Sequence, residues 1–348
     1  MTKQWCTVLL VSCILVLSAA FTLPAKKSSK TPAFDVLILD AGHGGSKPGA
    51  KGWNGYWEKD ITLAIALETE KEIKKIIPDL KIIQTRTDDS DVDNRLRPII
   101  ANENKGDVFV SIHCNSVDGY LLEKEVVDSV EKTRIVKNDL GGKDTITEMV
   151  AVYKNVKKPK GARGLETYVW NPAHQGIKLK AAGKSIADKE NEEILNDPEY
   201  LEKYGGGLDI NSPEFNNKAF LRVKKYFSRS VQLAQLVQEE GANAGRNDRS
   251  VRQRGEGIWV LQATNMPSIL VETGYLSHPE EEAYLASVEG QKEMAGIIAR
   301  AIKRYKEFLE TQQQAPPPGN ENGQNAPPAG TLAIIHSEPN TEEDETAI

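Results

Sequence analysis

The sequence predicts an α/β fold, and three observations support that expectation. The continuous apolar run Val36–Leu39 reads as a strand buried on both faces, and the largely apolar Val108–His113 as a second strand. Segments with helical periodicity lie between them, so strands and helices alternate as in βαβ units. Each of these two strands leads to a histidine: His43 in Asp40-Ala41-Gly42-His43-Gly44-Gly45, and His113 about seventy residues later. Open α/β sheets place their sites at the carboxyl ends of strands. The chain has five histidines, and two in such positions point to a metal.

The elements follow in order. Val36–Leu39 is the first strand. Glu58–Ile77 carries Ile61, Ile65, Leu67, Ile73 and Ile77 at helical spacing, and Pro78 ends that helix. Lys81–Arg86 reads as a short strand, Asp91–Asn104 as a polar helix, and the next long strand ends at His113. Asp118–Ala162 breaks the rhythm. Rich in Lys, Val and Glu, with Gly141-Gly142 inside it, this stretch reads as an insertion bearing a hairpin. Gly164–Trp170 returns to a strand. Lys178–Leu195 reads as a helix, Asn196–Pro213 as a loop marked by Gly205-Gly206-Gly207, and Asn216–Gly241 as a long amphipathic helix. Strands at Gly257–Leu261 and Ser268–Glu272 precede helices at Pro279–Ala286 and Val288–Leu309.

The flanks differ from this pattern. Lys3, the apolar run Val8–Leu17 and Ser18-Ala19-Ala20 read as an export signal over residues 1–24, too short for a membrane span. Export places the chain in the periplasm or cell envelope. Leu10-Val11-Ser12-Cys13 also loosely fits a lipoprotein cleavage box, so lipid anchoring at Cys13 is the alternative. A Lys/Ser/Pro-rich linker covers 25–34 and a single domain 35–310. The tail 311–348 is rich in Gln, Pro, Asn, Gly and acidic residues, a composition that stays disordered. Loss of the signal leaves Cys114 alone, so no internal disulfide supports the fold. It reads as a small buried residue at a strand end. A net charge of −6 with scattered Lys and Arg argues against a nucleic-acid partner.

A catalytic zinc site takes three protein ligands and leaves a fourth position open. His43 and His113 supply two. Glu58 opens the helix after the glycine-rich loop, where it is either the third ligand or a first-turn carboxylate complementing the helix dipole. The helical H-E-x-x-H spacing is absent. Glu272 ends the apolar run Ile269-Leu270-Val271, in the position other strands give to histidines. Partial burial there would raise its pKa and suit it to acid–base work; pairing with an Arg or capping a helix is the alternative. Asp40 either orients a histidine or caps its turn. His174, His278 and His336 read as loop, helix-start and tail residues rather than ligands. Ile186, Glu190 and Ile194 share one helical stripe, so Glu190 needs a partner, such as Lys184 or Lys189.

Three segments carry a resemblance: Leu39–Gly45, Ser111-Ile112-His113-Cys114-Asn115-Ser116 and Leu270–Ser277. They resemble the zinc-dependent N-acetylmuramoyl-L-alanine amidases of the cell-separation type. Thr85-Arg86-Thr87-Asp88, Arg95, Ala101-Asn102 and Gly164–Tyr168 are similar to further segments of that family, so the resemblance spans Val36–Leu309. It implies one catalytic domain, with a mixed central sheet flanked by helices in a zinc carboxypeptidase-like layout. It also implies one Zn2+ ion on His43, Glu58 and His113, with Glu272 as the catalytic residue. The implied reaction is hydrolysis of the amide between N-acetylmuramic acid and L-alanine in peptidoglycan, for wall remodelling or daughter-cell separation. Zinc would activate water and polarise the carbonyl while Glu272 takes and returns the proton. The insertion 118–162 is longer than the family pattern. Some members close their site with a helix similar to Ala187–Glu192. This implies a regulatory helix and loop over 178–213, Glu190 as autoinhibitory ligand, and an activator protein as partner.

Two other readings stay open. A zinc carboxypeptidase or peptidase acting on wall peptides would need an Arg, such as Arg86 or Arg95, for a terminal carboxylate. A non-catalytic peptidoglycan-binding module usually lacks a ligand or the catalytic carboxylate, yet all four positions are filled here.

Overall fold

The computed structural model describes residues 33–137, 143–172, 176–182, 213–254 and 258–314, with the backbone of 336–337. The export signal, Cys13, His174, Glu190, the glycine-rich loop 196–212 and most of the tail lie outside the described residues. Among the described residues no helix is long and apolar enough to cross a membrane.

Among the described residues the central sheet has seven strands in the order β2-β1-β3-β8-β6-β7-β9. They are β1 Val36–Ala41, β2 Lys81–Gln84, β3 Val108–Asn115, β6 Leu165–Val169, β7 Asp248–Gln253, β8 Ser268–Tyr275 and the two-residue β9 His336–Ser337. β2, β1, β3 and β8 are mutually parallel, β6 runs antiparallel to β8, and β7 pairs parallel with β6. The sheet is therefore mixed, as the resemblance implies. β1, β3 and β8 are continuously buried apolar runs because helices cover both faces.

Helix α1 (Glu58–Ile76) lies against β1 and β3 and packs along α6 (Val288–Gln314). On the other face, Ile38, Phe109, Tyr168 and Leu270 join Ala101 of α2 (Leu96–Glu103) in one cluster. Val223 of α3 (Pro213–Asn243) and Val260 and Leu261 of α4 (Trp259–Gln262) belong to it as well. A helical segment 176–182 adds Ala182 to this cluster. Its Lys178 is fully buried, and its Nζ donates to the carbonyls of Leu261 and Met266 and to the hydroxyls of Thr264 and Ser268. Helix α5 (Pro279–Ala286) starts at His278, which holds its N-cap position.

Some boundaries depart from the sequence expectation. The strand expected over Gly257–Leu261 is instead the short helix α4, and the strand beside β6 is Asp248–Gln253. β7 is charged and buries only Val251, since it lies near the sheet edge and lacks the two covered faces that write an apolar run. The polar helix begins at Leu96, not Asp91. Phe34, assigned to the linker, belongs to the core against Tyr305. The final helix runs on to Gln314, into the stretch read as tail. The insertion is a long antiparallel hairpin, β4 Leu121–Lys137 with β5 Lys143–Lys158, forming its own two-stranded sheet.

Candidate metal centre

The strand order turns at β1, with β2 on one side and β3 on the other, and in such sheets sites form at the carboxyl ends of the strands beside the turn. Both histidines lie there. His43 follows β1 with φ of 59°, a left-handed conformation that costs a non-glycine residue about 1–2 kcal/mol. Two buried arginines hold it. Arg97 donates to the carbonyls of Ala41 at 2.6 Å and His43 at 2.7 Å; Arg86 donates to those of Ala41 at 2.9 Å and Gly42 at 2.8 Å. Three successive carbonyls are thus fixed from outside the loop.

Asp40 completes this frame. Fully buried, it accepts from Arg97, Thr85 and Ser111, each at 2.6 Å. Burial pushes its carboxyl up, but Arg97 and the two hydroxyls outweigh that and hold it below the usual range. Its hydrogen-bond partners are Arg97, Thr85 and Ser111 rather than a histidine ring, and Arg97 connects it to the His43 carbonyl. Arg86 is likewise occupied with the loop and is not turned toward a substrate carboxylate. Arg95 is exposed and lines an open cleft with Asp93, Asn94, Leu96 and Trp259.

Glu58 is the first residue of α1. Its N–H and that of Lys59, orphans of the helix start, donate to the carbonyls of Ala50 and Pro48. The carboxylate lies between the two imidazoles: Oε2 is 3.1 Å from His43 Nε2, and Oε1 is 3.0 Å from His113 Nδ1. Backbone N–H groups of Ala50 and Cys114 donate to the same two oxygens. Burial raises its pKa, but the hydrogen bonds with His113 and His43 outweigh this and keep it ionised. The three ligand atoms lie within 4.8 Å of one another. Glycines make room for the cluster. A Cβ on Gly42 would stand 2.4 Å from the His113 ring, and one on Gly49 would stand 2.5 Å from Glu58 Oε2. Two nitrogens and an oxygen on rigid elements fit a zinc ion. Cys114 is buried with its thiol pushed up by burial, and its Sγ lies 3.2 Å from Thr273 Oγ1.

Glu272 is paired in register with His113 on the neighbouring strand. Burial pushes its carboxyl up to about 7. Its Oε1 is 3.6 Å from Arg254, and its Oε2 is buried with no hydrogen-bond partner among the described residues. The sequence did not single out Glu166, which pairs with Glu272 across β6 and β8. Although burial raises its pKa, hydrogen bonds from Arg249 and Tyr275 hold it below the usual range. Tyr168 at 2.9 Å and Asn115 at 3.2 Å also donate to it. The signal was present: a carboxylate inside a buried strand, the same signature as Glu272.

The sequence matches the N-acetylmuramoyl-L-alanine amidase family over residues 37–304. It is 28 % identical over 288 residues to the N-acetylmuramoyl-L-alanine amidase AmiC of Neisseria meningitidis, spanning 82 % of this chain and 56 % of that protein. The AmiA amidase of Salmonella typhimurium is 25 % identical over 289 residues, with 82 % and 81 % covered. Among solved structures, the N-acetylmuramoyl-L-alanine amidase of Clostridium difficile 630 gives a TM-score of 0.48 at 22 % identity, covering 79 % of this chain and 98 % of that one. AmiC2 of Nostoc punctiforme gives 0.47 at 24 % identity, with 78 % and 97 % covered. The family match runs from β1, the strand before His43, into the final helix α6, and the chain belongs to the N-acetylmuramoyl-L-alanine amidase family.

Proposed function

We propose that this chain hydrolyses the amide bond between N-acetylmuramic acid and L-alanine in peptidoglycan at a single zinc centre. The observation behind this is the convergence of His43, Glu58 and His113 within 4.8 Å, one strand away from the buried Glu272. The three residues would hold the ion through two nitrogens and one oxygen. Bound there, zinc supplies Lewis-acid polarisation of the scissile carbonyl and lowers the pKa of water. Glu272 moves the proton: it takes one from the attacking water and returns it to the departing alanine nitrogen. A carboxyl group poised near neutrality suits both halves of that task. The C–N bond breaks, leaving a lactyl carboxylate on the sugar and a free N-terminal alanine on the peptide.

The export signal would deliver the chain to the periplasm or envelope, where this substrate lies. Glu190 as internal occupant of the open position, displaced by an activator, extends the proposal. Removing residues 182–211 should then raise basal turnover, and unchanged turnover in a folded variant would refute it.

Zinc-loaded protein incubated with purified peptidoglycan tests the main reading. Free N-terminal alanine is expected, abolished by EDTA and by Glu272→Gln. Release of a carboxy-terminal amino acid instead would mark a carboxypeptidase, and turnover indifferent to EDTA would overturn the zinc centre.

A further inference from the structure

We propose that the loop 51–57, which exposes Trp53 and Tyr56 beside the metal centre, is a stacking platform for the glycan strand of peptidoglycan. The proposal rests on the amidase reading above. Lys51-Gly52-Trp53-Asn54-Gly55-Tyr56-Trp57 is a tight turn: Gly52 N–H donates to the Tyr56 carbonyl at 2.8 Å, and Lys51 pairs with Trp57. Polar bonds fix its place. Trp53 N–H donates to the Leu276 carbonyl at 2.9 Å, and Asn54 Nδ2 to the Pro279 carbonyl at 3.3 Å. Beneath the loop, the fully buried Glu282 accepts the N–H of Tyr56 on Oε1 at 3.0 Å and the N–H of Asn54 on Oε2. A Cβ on Gly52 would stand 2.0 Å from Glu282 Oε1, so glycine is what admits the carboxylate.

The backbone and Glu282 therefore set the shape of this loop, and the two rings are not needed to hold it. Trp53 is nevertheless 39 % exposed and Tyr56 52 % exposed. Large aromatic side chains presented on a fixed loop are the anchors that recognition surfaces use. The position identifies the ligand. Ala50 N–H donates to Glu58 Oε2, and Trp57 directly precedes Glu58. Leu276, which receives Trp53, donates its own N–H to the carbonyl of Asn115 at 2.8 Å. The platform thus stands at the carboxyl ends of β3 and β8, the end that carries His113 and Glu272.

In the proposed reaction the scissile bond hangs from a sugar, so neighbouring sugars must lie next to the centre. A pyranose ring presents a face of C–H groups, weakly positive, to the negative face of an aromatic ring. Its hydroxyl and N-acetyl groups then reach the polar rim, here Asn54 and Lys51. Two exposed rings on one loop, with Asn54 between them in sequence, suit a linear polysaccharide.

Calorimetric titration of the full-length protein with peptide-free glycan strands tests this. Trp53→Ala and Tyr56→Ala are each expected to weaken binding about tenfold, with Trp53→Phe restoring most of it. On intact peptidoglycan the variants should raise KM more than they lower kcat, and lose more on the polymer than on a one-sugar muramoyl dipeptide. Unchanged glycan affinity in the double variant overturns the platform, and wild-type turnover would leave the amidase reading standing. Equal losses on polymer and one-sugar substrate also overturn it. So does sedimentation with anionic phospholipid vesicles that depends on the two rings, which would assign the loop to a membrane. Ring-dependent glycan binding by a wild type that releases no free N-terminal alanine would support the platform and sink the amidase reading.

Discussion

His113 and Glu272 face each other in register on the parallel strands β3 and β8, so a metal-ligand candidate and a carboxyl poised near neutrality are set by one backbone pairing. Neighbouring strands lie about 4.8 Å apart, and the sheet itself fixes the separation. No loop has to close to bring the two together. Glu166 continues the row on the other side of Glu272.

Replacing Glu272 with Gln should separate chemistry from architecture. Turnover on peptidoglycan is expected to fall about 10²–10⁴-fold, the usual worth of a general acid–base. Zinc content should stay at the wild-type level, because Glu272 lies outside the ligand cluster. Parallel turnover and metal measurements check this, and a variant that loses zinc as well would assign Glu272 to the metal.

The same residue makes stability depend on pH. Burial raises its carboxyl from 4.5 to about 7; Glu58 and Glu166 push the same way, and His113 and Arg254 oppose them. A folded pKa above the unfolded one favours the fold fully at pH below the unfolded value, and that advantage is lost as pH rises through the folded value. Metal-free wild type should therefore lose stability relative to Glu272→Gln between about pH 5 and pH 8. Denaturant titrations of chelator-treated protein across that range measure it; parallel curves would contradict the shift.

Arg97 links Asp40 to the His43 carbonyl. Arg97→Met leaves the buried Asp40 without its cation and should cost about 3–5 kcal/mol of stability. With the His43 loop released, zinc affinity should fall about 10–100-fold, as when the partners that orient a ligand are removed. Thermal unfolding of the metal-free protein and zinc titration read the two effects separately.

Gly42→Ala probes the same loop from inside. Its Cβ would fall 2.4 Å from His113 Cε1, so the imidazole must move. A folded protein with zinc affinity at least about tenfold weaker is expected. Wild-type affinity would mean that the ring relaxes without leaving the ligand position.

Much of this was legible in the sequence. β1, β3 and β8 were visible because doubly covered strands are written as continuous apolar runs, and His43, His113 and Glu272 were visible because they follow or end them. Gly257–Leu261 looked like a strand because a short, mostly buried helix and a buried strand share the same apolar run. β7 was hidden because its side chains are mostly polar. The parts played by Arg86, Arg97 and Glu282 were not legible, because each is defined by backbone atoms distant in sequence that only the fold brings within reach.

Zinc titration of the full, metal-free chain tests the central claim most directly. The account predicts one ion per chain, with affinity lowered at least about 100-fold by His43→Ala, by Glu58→Gln and by His113→Ala separately. Zinc binding that persists at wild-type affinity in any of these three variants would contradict it.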